Sequence, residues 1–201
     1  MTRLSYLNTL KRKLTALIIS VSLAAGAHAS WVIQPDSSHV HFMSIKATHI
    51  GEVHSFSRLS GSVQDNGQAT LQIDLASVDT LIPIRDERMR ELLFEVEQHP
   101  TAVVDSTISI DAFQDMLIGT ETQTQLDANL KFKTTNNQIS AEVIVSRPKE
   151  STFIIQSKSP VLLSASNLQV TKGLEKLREI AGLPSISFAI PVSFRLTFKR
   201  D

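Results

Sequence analysis

From Ile186 to Phe198, apolar side chains fall on every second residue: Ile186, Phe188, Ile190, Val192, Phe194, Leu196 and Phe198. Between them lie Ser187, Ala189, Pro191, Ser193, Arg195 and Thr197. A period of two marks a strand with one buried face. Pro191 falls on the other parity and has no N–H for a ladder, which predicts a bulge or an unpaired edge position there. The same alternation recurs upstream. Ala69, Leu71, Ile73 and Leu75 alternate with Thr70, Gln72 and Asp74. Leu126, Ala128, Leu130 and Phe132 recur every second residue, and Ile139 to Val145 keeps the period. His39 to Thr48, Val53 to Val63 and Ala102 to Phe113 read as further strands, and Phe153–Ile155 and Val161–Leu163 as short ones. Turn signals separate them at Pro35–Ser38, at Gln64–Gln68 with its Asn66-Gly67 pair, at Asn136-Asn137 and at Ser159-Pro160.

Two stretches break the strand pattern. Met89, Leu92, Leu93 and Val96 stand at i, i+3, i+4 and i+7, one face of a helix. Arg85, Asp86, Glu87, Arg88, Arg90 and Glu91 cover the other face, with Asp86 four residues before Arg90. Pro83 suits the first turn and Pro100 ends the segment. The second helix runs from a capping Thr171 through Leu174, Leu177 and Ala181, and closes at Gly182 and Pro184.

Single-faced antiparallel strands joined by turns must bury one face, as a sandwich or as a sheet closed on itself. One long meander with few crossovers favours the closed form. The expected fold is therefore all-β, an antiparallel barrel of about eight strands. A short helix lies between strands and a second short helix lies near the C-terminus. Eight strands enclose room for side chains or for one small ligand.

The first 29 residues change this picture little. Arg3, Lys11, Arg12 and Lys13 precede an apolar run from Leu14 to Gly26, and Ala27-His28-Ala29 fits a cleavage site before Ser30. That is the three-part pattern of a secretory signal peptide. The expected organisation is thus a signal peptide over 1–29 and a single barrel domain over 30–201, exported to the periplasm and without a stable membrane anchor. The chain has 20 bases and 20 acids, and removal of the four leader bases leaves 16 against 20, a net charge of −4. That balance, with no basic stripe, argues against a nucleic-acid partner. There is no cysteine, hence no disulfide and no site for lipoprotein acylation.

Catalytic signatures are scarce. No G-x-S-x-G, H-E-x-x-H, P-loop or G-x-G-x-x-G occurs. His39 and His41 share a strand face and could hold zinc with a third ligand such as His54 or Glu52. The plainer reading is a pair of solvent-facing histidines beside Val40 and Phe42. The run Arg85 to Glu91 reads either as a solvated helix face or as a polar rim over a cavity mouth, with Arg85 or Arg88 meeting a ligand head group. The phenylalanines suit the core of any β fold, because a filled interior and a ligand-filled one alternate alike.

Several segments together resemble the YceI-like polyisoprenoid-binding family of exported bacterial proteins. They are Trp31-Val32-Ile33, Ser38–Phe42, Ile45-Lys46, Leu59-Ser60-Gly61, Ile73–Thr80, Arg85–Met89, Phe94 with Glu97, and His99-Pro100. The chain departs from the family at Gln34 and Ser37, where an acid and a histidine are usual. It departs again at Ser55, where a glycine is frequent, and at Lys133–Gln138, which replaces a His-Gly-Val-Thr-Lys-Pro segment. The helix at Lys172 to Ala181 is similar to an insertion of one branch.

The resemblance implies a lipocalin-like barrel closed at one end by a helix. It also implies a polyisoprenoid or quinone-like lipid as ligand, no other cofactor, no chemistry by the protein, and often a homodimer. Phe42, Leu71, Ile73, Leu75, Phe132, Phe188, Ile190, Phe194 and Leu196 are the candidates to face such a tail, with Arg85 and Arg88 at its head. The expected function is non-enzymatic carriage of a long-chain amphiphile. The alternatives are a filled barrel acting as a protein-interaction module and a metal-assisted hydrolase using His39 and His41.

Overall fold

The computed structural model describes residues 30–200. The segment read as a signal peptide lies outside the described residues. Twelve strands form one antiparallel sheet that closes on itself. They are β1 (Trp31–Ile33), β2 (His39–Lys46), β3 (Ile50–Phe56), β4 (Leu59–Val63), β5 (Gln68–Asp74), β6 (Val78–Asp79), β7 (Thr101–Thr107), β8 (Glu121–Phe132), β9 (Thr135–Lys149), β10 (Thr152–Ser157), β11 (Val161–Ser164) and β12 (Ala189–Arg200). Four pairs act as single broken staves, because β1 and β2 both pair with β12, β4 and β3 pair with them in turn, β5 and β6 with those, and β10 and β11 both pair with β12. The result is an eight-stave up-and-down barrel, closed where Trp31, Val32 and Ile33 meet Arg200, Lys199 and Phe198.

The stave breaks are sealed by side chains. Between β1 and β2 the chain makes a 3₁₀ turn at Pro35–Ser37. There Ser38 Oγ accepts from the Thr197 N–H at 2.9 Å, and the Thr197 hydroxyl donates to the Ser37 carbonyl at 2.8 Å. Between β3 and β4, Ser77 Oγ accepts from the Arg58 N–H at 3.0 Å and donates to the Asp74 carbonyl at 2.6 Å. Backbone groups that a turn removes from the ladder thus find partners, as buried polar groups must. On β12 the ladder with β2 ends at Val192↔Phe42, immediately beside Pro191.

The meander places its helical connections at opposite ends. α1 (Pro83–Arg88) continues into a π-helical segment, Met89–Phe94, between β6 and β7. α3 (Thr171–Ile180) joins β11 to β12 at the same end. α2 (Ile110–Gln114) closes the other end, where Phe113 packs 6.5 Å from Phe153 and Trp31 packs 4.7 Å from Phe153. α3 lies against the π segment closely enough that a Cβ on Gly173 would sit 2.3 Å from the Leu92 carbonyl oxygen, so only glycine fits there.

Four local expectations are corrected. The π turn bonds i to i+5, so Phe94 joins Met89 and Leu93 in the core and Leu92 is displaced to a half-buried position. Phe113 belongs to α2, and the strand before it ends at Thr107. The β8–β9 turn is Lys133-Thr134 rather than Asn136-Asn137, because Phe132 pairs with Thr135 and Lys133 takes the positive φ of 51°. Thr171 is the first helical residue of α3 and makes no side-chain cap. The β4–β5 hairpin turns where expected, with Gly67 alone of the Asn66-Gly67 pair at positive φ, 83°. At the end of α3, the Leu183 N–H reaches the Arg178 carbonyl and the Gly182 N–H reaches that of Glu179, a glycine-terminated close.

Candidate functional site

Side-chain parity decides what faces the barrel interior. Along β2 the inward positions run Val40, Phe42, Ser44, Lys46. Along β3, read toward the same end, they run Phe56, His54, Glu52. The interior therefore changes from apolar to polar as it approaches the end carrying α1 and α3.

In the apolar part a cavity of about 170 Å³ is lined almost wholly by carbon. Leu71, Ile73, Val104, Leu126, Leu130, Ile155, Leu163, Phe194 and Leu196 form its wall, and Ala128 and Ala141 leave room in it. A second chamber of about 330 Å³ lies between α1, the π segment, α3 and the starts of β3 and β12. Phe42, Met89, Leu93, Leu174, Leu177 and Ile190 supply its apolar wall; Ser44, Lys46, Glu52, His54, Arg85 and Arg88 supply its polar wall. The two chambers adjoin along β2 and β12, where Val40 and Val192 face the first and Phe42 and Ile190 face the second.

The polar wall is tightly bonded. Lys46 Nζ lies 2.9 Å from Glu52 Oε2, and Arg85 Nη1 donates to the same oxygen at 2.7 Å. The Lys46 ammonium and then the Arg85 charge hold the Glu52 carboxyl below the usual carboxylate range, against the opposing effect of burial. Arg85 Nη2 donates to the Thr80 carbonyl at 2.6 Å, and the Thr80 N–H donates to Asp86 Oδ1 at 2.8 Å. Asp86 is thereby turned toward Thr80 rather than used as a partner for Arg90. His54 is 3% exposed, with Nε2 bonded to Ser44 Oγ at 2.8 Å. Desolvation lowers its pKa first and the Arg85 charge lowers it further.

The nine residues expected to face a tail are placed differently from one another. Leu71, Ile73, Phe194 and Leu196 line the apolar cavity, and Phe42 and Ile190 line the second chamber. Leu75 is buried at 1% exposure in the solid core, and Phe132 is buried against Phe94 with ring centroids 6.2 Å apart. Neither Leu75 nor Phe132 is part of a cavity wall. Phe188 is a correction: it is 39% exposed, because β12 begins only at Ala189 and the Ser187 hydroxyl holds the Ala189 N–H in a local turn. Arg85 and Arg88 both line the second chamber.

The histidine pair does not converge with its expected third ligand. His41 pairs with Ser55 and Phe42 with His54, so His54 and Glu52 project inward while His39 and His41 share the opposite, outer face. The two outer rings stack at 4.8 Å. Among the described residues, no group of three or more His, Cys, Asp or Glu side chains is placed to hold a metal ion. No sequence motif marks Ser44 and Lys46, and His54 and Glu52, expected only as possible third metal ligands, stand with them in the chamber wall. Their parity with Phe42 and Phe56 was the available signal.

The sequence model of the YceI-like domain matches residues 31–198. This chain belongs to the YceI-like family. A polyisoprenoid-binding domain from Saccharophagus degradans, implicated in plant cell wall breakdown, is 32% identical and superposes with a TM-score of 0.84 over 86% of this chain and 99% of that one. BcnA from Burkholderia cenocepacia is 18% identical, with a TM-score of 0.63 over 82% of this chain and 98% of its own, a likeness of fold. No curated protein matches the chain. Within this YceI-like protein the family segments explain themselves: Ser77 seals the break between β3 and β4, and Thr80, Arg85 and Asp86 knot the end of β6 to α1, which lies over the second chamber. Among the described residues no helix is long and apolar enough to cross a membrane.

Proposed function

We propose that this YceI-like protein is a non-enzymatic carrier of a long-chain amphiphile, working in the periplasm after removal of residues 1–29. The carrying observation is the interior itself, an apolar cavity of about 170 Å³ that adjoins a half-polar chamber of about 330 Å³. An apolar tail fits the first and a polar head the second. The Saccharophagus degradans domain, described as polyisoprenoid-binding, supports a polyisoprenoid or related tail such as that of a quinone. Each buried CH₂ contributes about 0.8 kcal/mol, so a tail of about a dozen carbons offsets the loss of free motion on association. No bond need be made or broken. A filled barrel acting only through its surface has no use for this interior.

The test is to fill the cavity. Ala128 and Ala141 face its free space, so Ala128→Leu with Ala141→Leu should fold with unchanged or higher thermal stability. Uptake of a long-chain isoprenoid by the delipidated double variant should fall about tenfold or more. Unchanged uptake by a folded variant would refute the assignment of the cavity. Amino-terminal sequencing of protein from the periplasmic fraction should begin at Ser30. Sedimentation of that protein tests the homodimer that the family likeness suggests.

A further inference from the structure

Resting on the carrier reading, we propose that the apolar cavity has a side window between β7 and β8, through which a tail longer than the cavity continues into solvent. The ladder between these strands points this way first. β7 and β8 pair only from Val103↔Lys131 to Ser106↔Ala128. β8 extends from there back to Glu121 and stays paired with β9 along its whole length. On its other side, among the described residues, no backbone hydrogen bond joins residues 121–127 to β7. The Ser106 hydroxyl donates to the Asp127 carbonyl at 2.7 Å and ends the last rung. β7 then turns away, and the Ile108 N–H donates to the Gly67 carbonyl at 2.9 Å rather than to β8. Full closure of a barrel removes every strand edge. Here the edge of β8 stays open over its first half.

The spaces on either side of this gap point the same way independently. From inside, the apolar cavity reaches it at Ser106, Ile108, Leu126 and Ala128. Outside, a groove of about 340 Å³ lies against the same place, lined by Gln68, Asp105, Asp127, Asn129 and Gln138. Ala69, Thr70, Ser106 and Ala128 line both spaces, so no bulky side chain separates inside from outside at the last rung. Leu117 and Ile118 stand exposed just before β8, an apolar lip at the start of its open edge. Capacity calls for an exit as well. A dry apolar cavity of about 150 Å³ takes one benzene, about six carbons. At that ratio the two chambers, about 170 and 330 Å³, hold about twenty carbons together. Phe113 and Phe153 plug the far end of the barrel. A longer tail therefore leaves sideways. The carboxylates and amides of the groove offer a tail no apolar contact, so the emerging segment neither adds to affinity nor subtracts from it.

The experiment uses delipidated mature protein and two isoprenoid alcohols, geranylgeraniol and solanesol, each with a photoreactive diazirine at the tail end. The solanesol tail is more than twice as long, and it should bind within about threefold of geranylgeraniol. Its diazirine should label the rim of the window or the outer groove, at Thr107, Leu117, Asp127 or Asn129, whereas that of geranylgeraniol should label the cavity wall. Labelling of α1 or α3 by solanesol would show that the tail doubles back to the mouth, and labelling confined to the cavity wall would show that it is wholly contained. Either result overturns the window. Solanesol binding weaker than that of geranylgeraniol by more than about threefold would show an upper limit on tail length, which overturns the window and leaves the carrier reading intact. Failure of both alcohols to bind would overturn the carrier reading itself.

Discussion

His54 is the residue whose chemistry most depends on the barrel around it. A histidine whose pKa is lowered on folding stays neutral in the native state while the unfolded chain binds a proton. Its contribution to stability is therefore complete above about pH 6.5 and is lost as pH falls through the depressed folded value. Thermal unfolding between pH 7 and 5 should show wild-type stability falling with pH, and His54→Gln should fall less. His39, also lowered by burial and by its neighbours His41 and Arg195, remains in both proteins and cancels in the comparison. Glu52 and Asp105, whose carboxyls are held low chiefly by hydrogen bonds from Lys46 and Lys131, act only below about pH 4.5 and leave this window clear. Identical slopes for the two proteins would contradict the placement of His54.

Asp86 and Leu81 give a matched pair of local tests. Thr80 is 2% exposed and its N–H and hydroxyl both depend on Asp86. Asp86→Ala should destabilise by about 2 kcal/mol, because it strands buried donors. For a domain of this size, that lowers the melting temperature by about 4–8 °C. Leu81 is 85% exposed and sits at φ 63°, a left-handed conformation fixed by the Asp79 carboxylate on its N–H. Leu81→Asn should raise stability by a few tenths to about 1 kcal/mol, because asparagine tolerates that conformation better. Lower stability of Leu81→Asn would show that the exposed leucine has a structural partner.

Among the elements, strands were far more legible in the sequence than what joins them. Alternation placed β5, β8, β9 and β12 because each buries one face, and a period of two cannot be mistaken there. The helix over Met89–Phe94 was legible as a helix but not as a π turn, since a 3.6-residue pattern assigns Leu92 inward and the wider turn assigns Phe94. The short α2 escaped because five residues carry too little periodicity, and Phe113 looked like one more strand position. The glycine contact between α3 and the π segment was invisible for another reason, being set by tertiary approach. Gly173→Ala tests it: a Cβ 2.3 Å from the Leu92 oxygen must push the two helices apart, and overpacking of this kind costs about 1–3 kcal/mol. Because Leu174 and Leu177 wall the second chamber, ligand affinity should change with it. An unchanged melting temperature would mean that α3 is not held there.

At the scale of the whole molecule, the barrel interior is graded from apolar to polar. Its plugged end carries Trp31, Phe113 and Phe153, its middle is carbon-lined, and its other end presents cations and one buried histidine. The middle could be read from sequence because apolar alternation shows which residues face inward, and Leu71, Ile73, Phe194 and Leu196 do line the cavity. The polar end could not, because Ser44, Lys46, Glu52 and His54 look like ordinary exposed residues until the β2–β3 register turns them inward. Only Arg85 and Arg88 hinted at it, and the same two residues fit a solvated helix face equally well.

The most direct test of this account is native mass spectrometry of the mature protein taken from its own compartment, followed by organic extraction and lipid identification. A mass excess that extraction converts into one class of long-chain amphiphile is expected. A bare mass, with no uptake when isoprenoids, isoprenoid phosphates and quinones are offered to the delipidated protein, would contradict the carrier function.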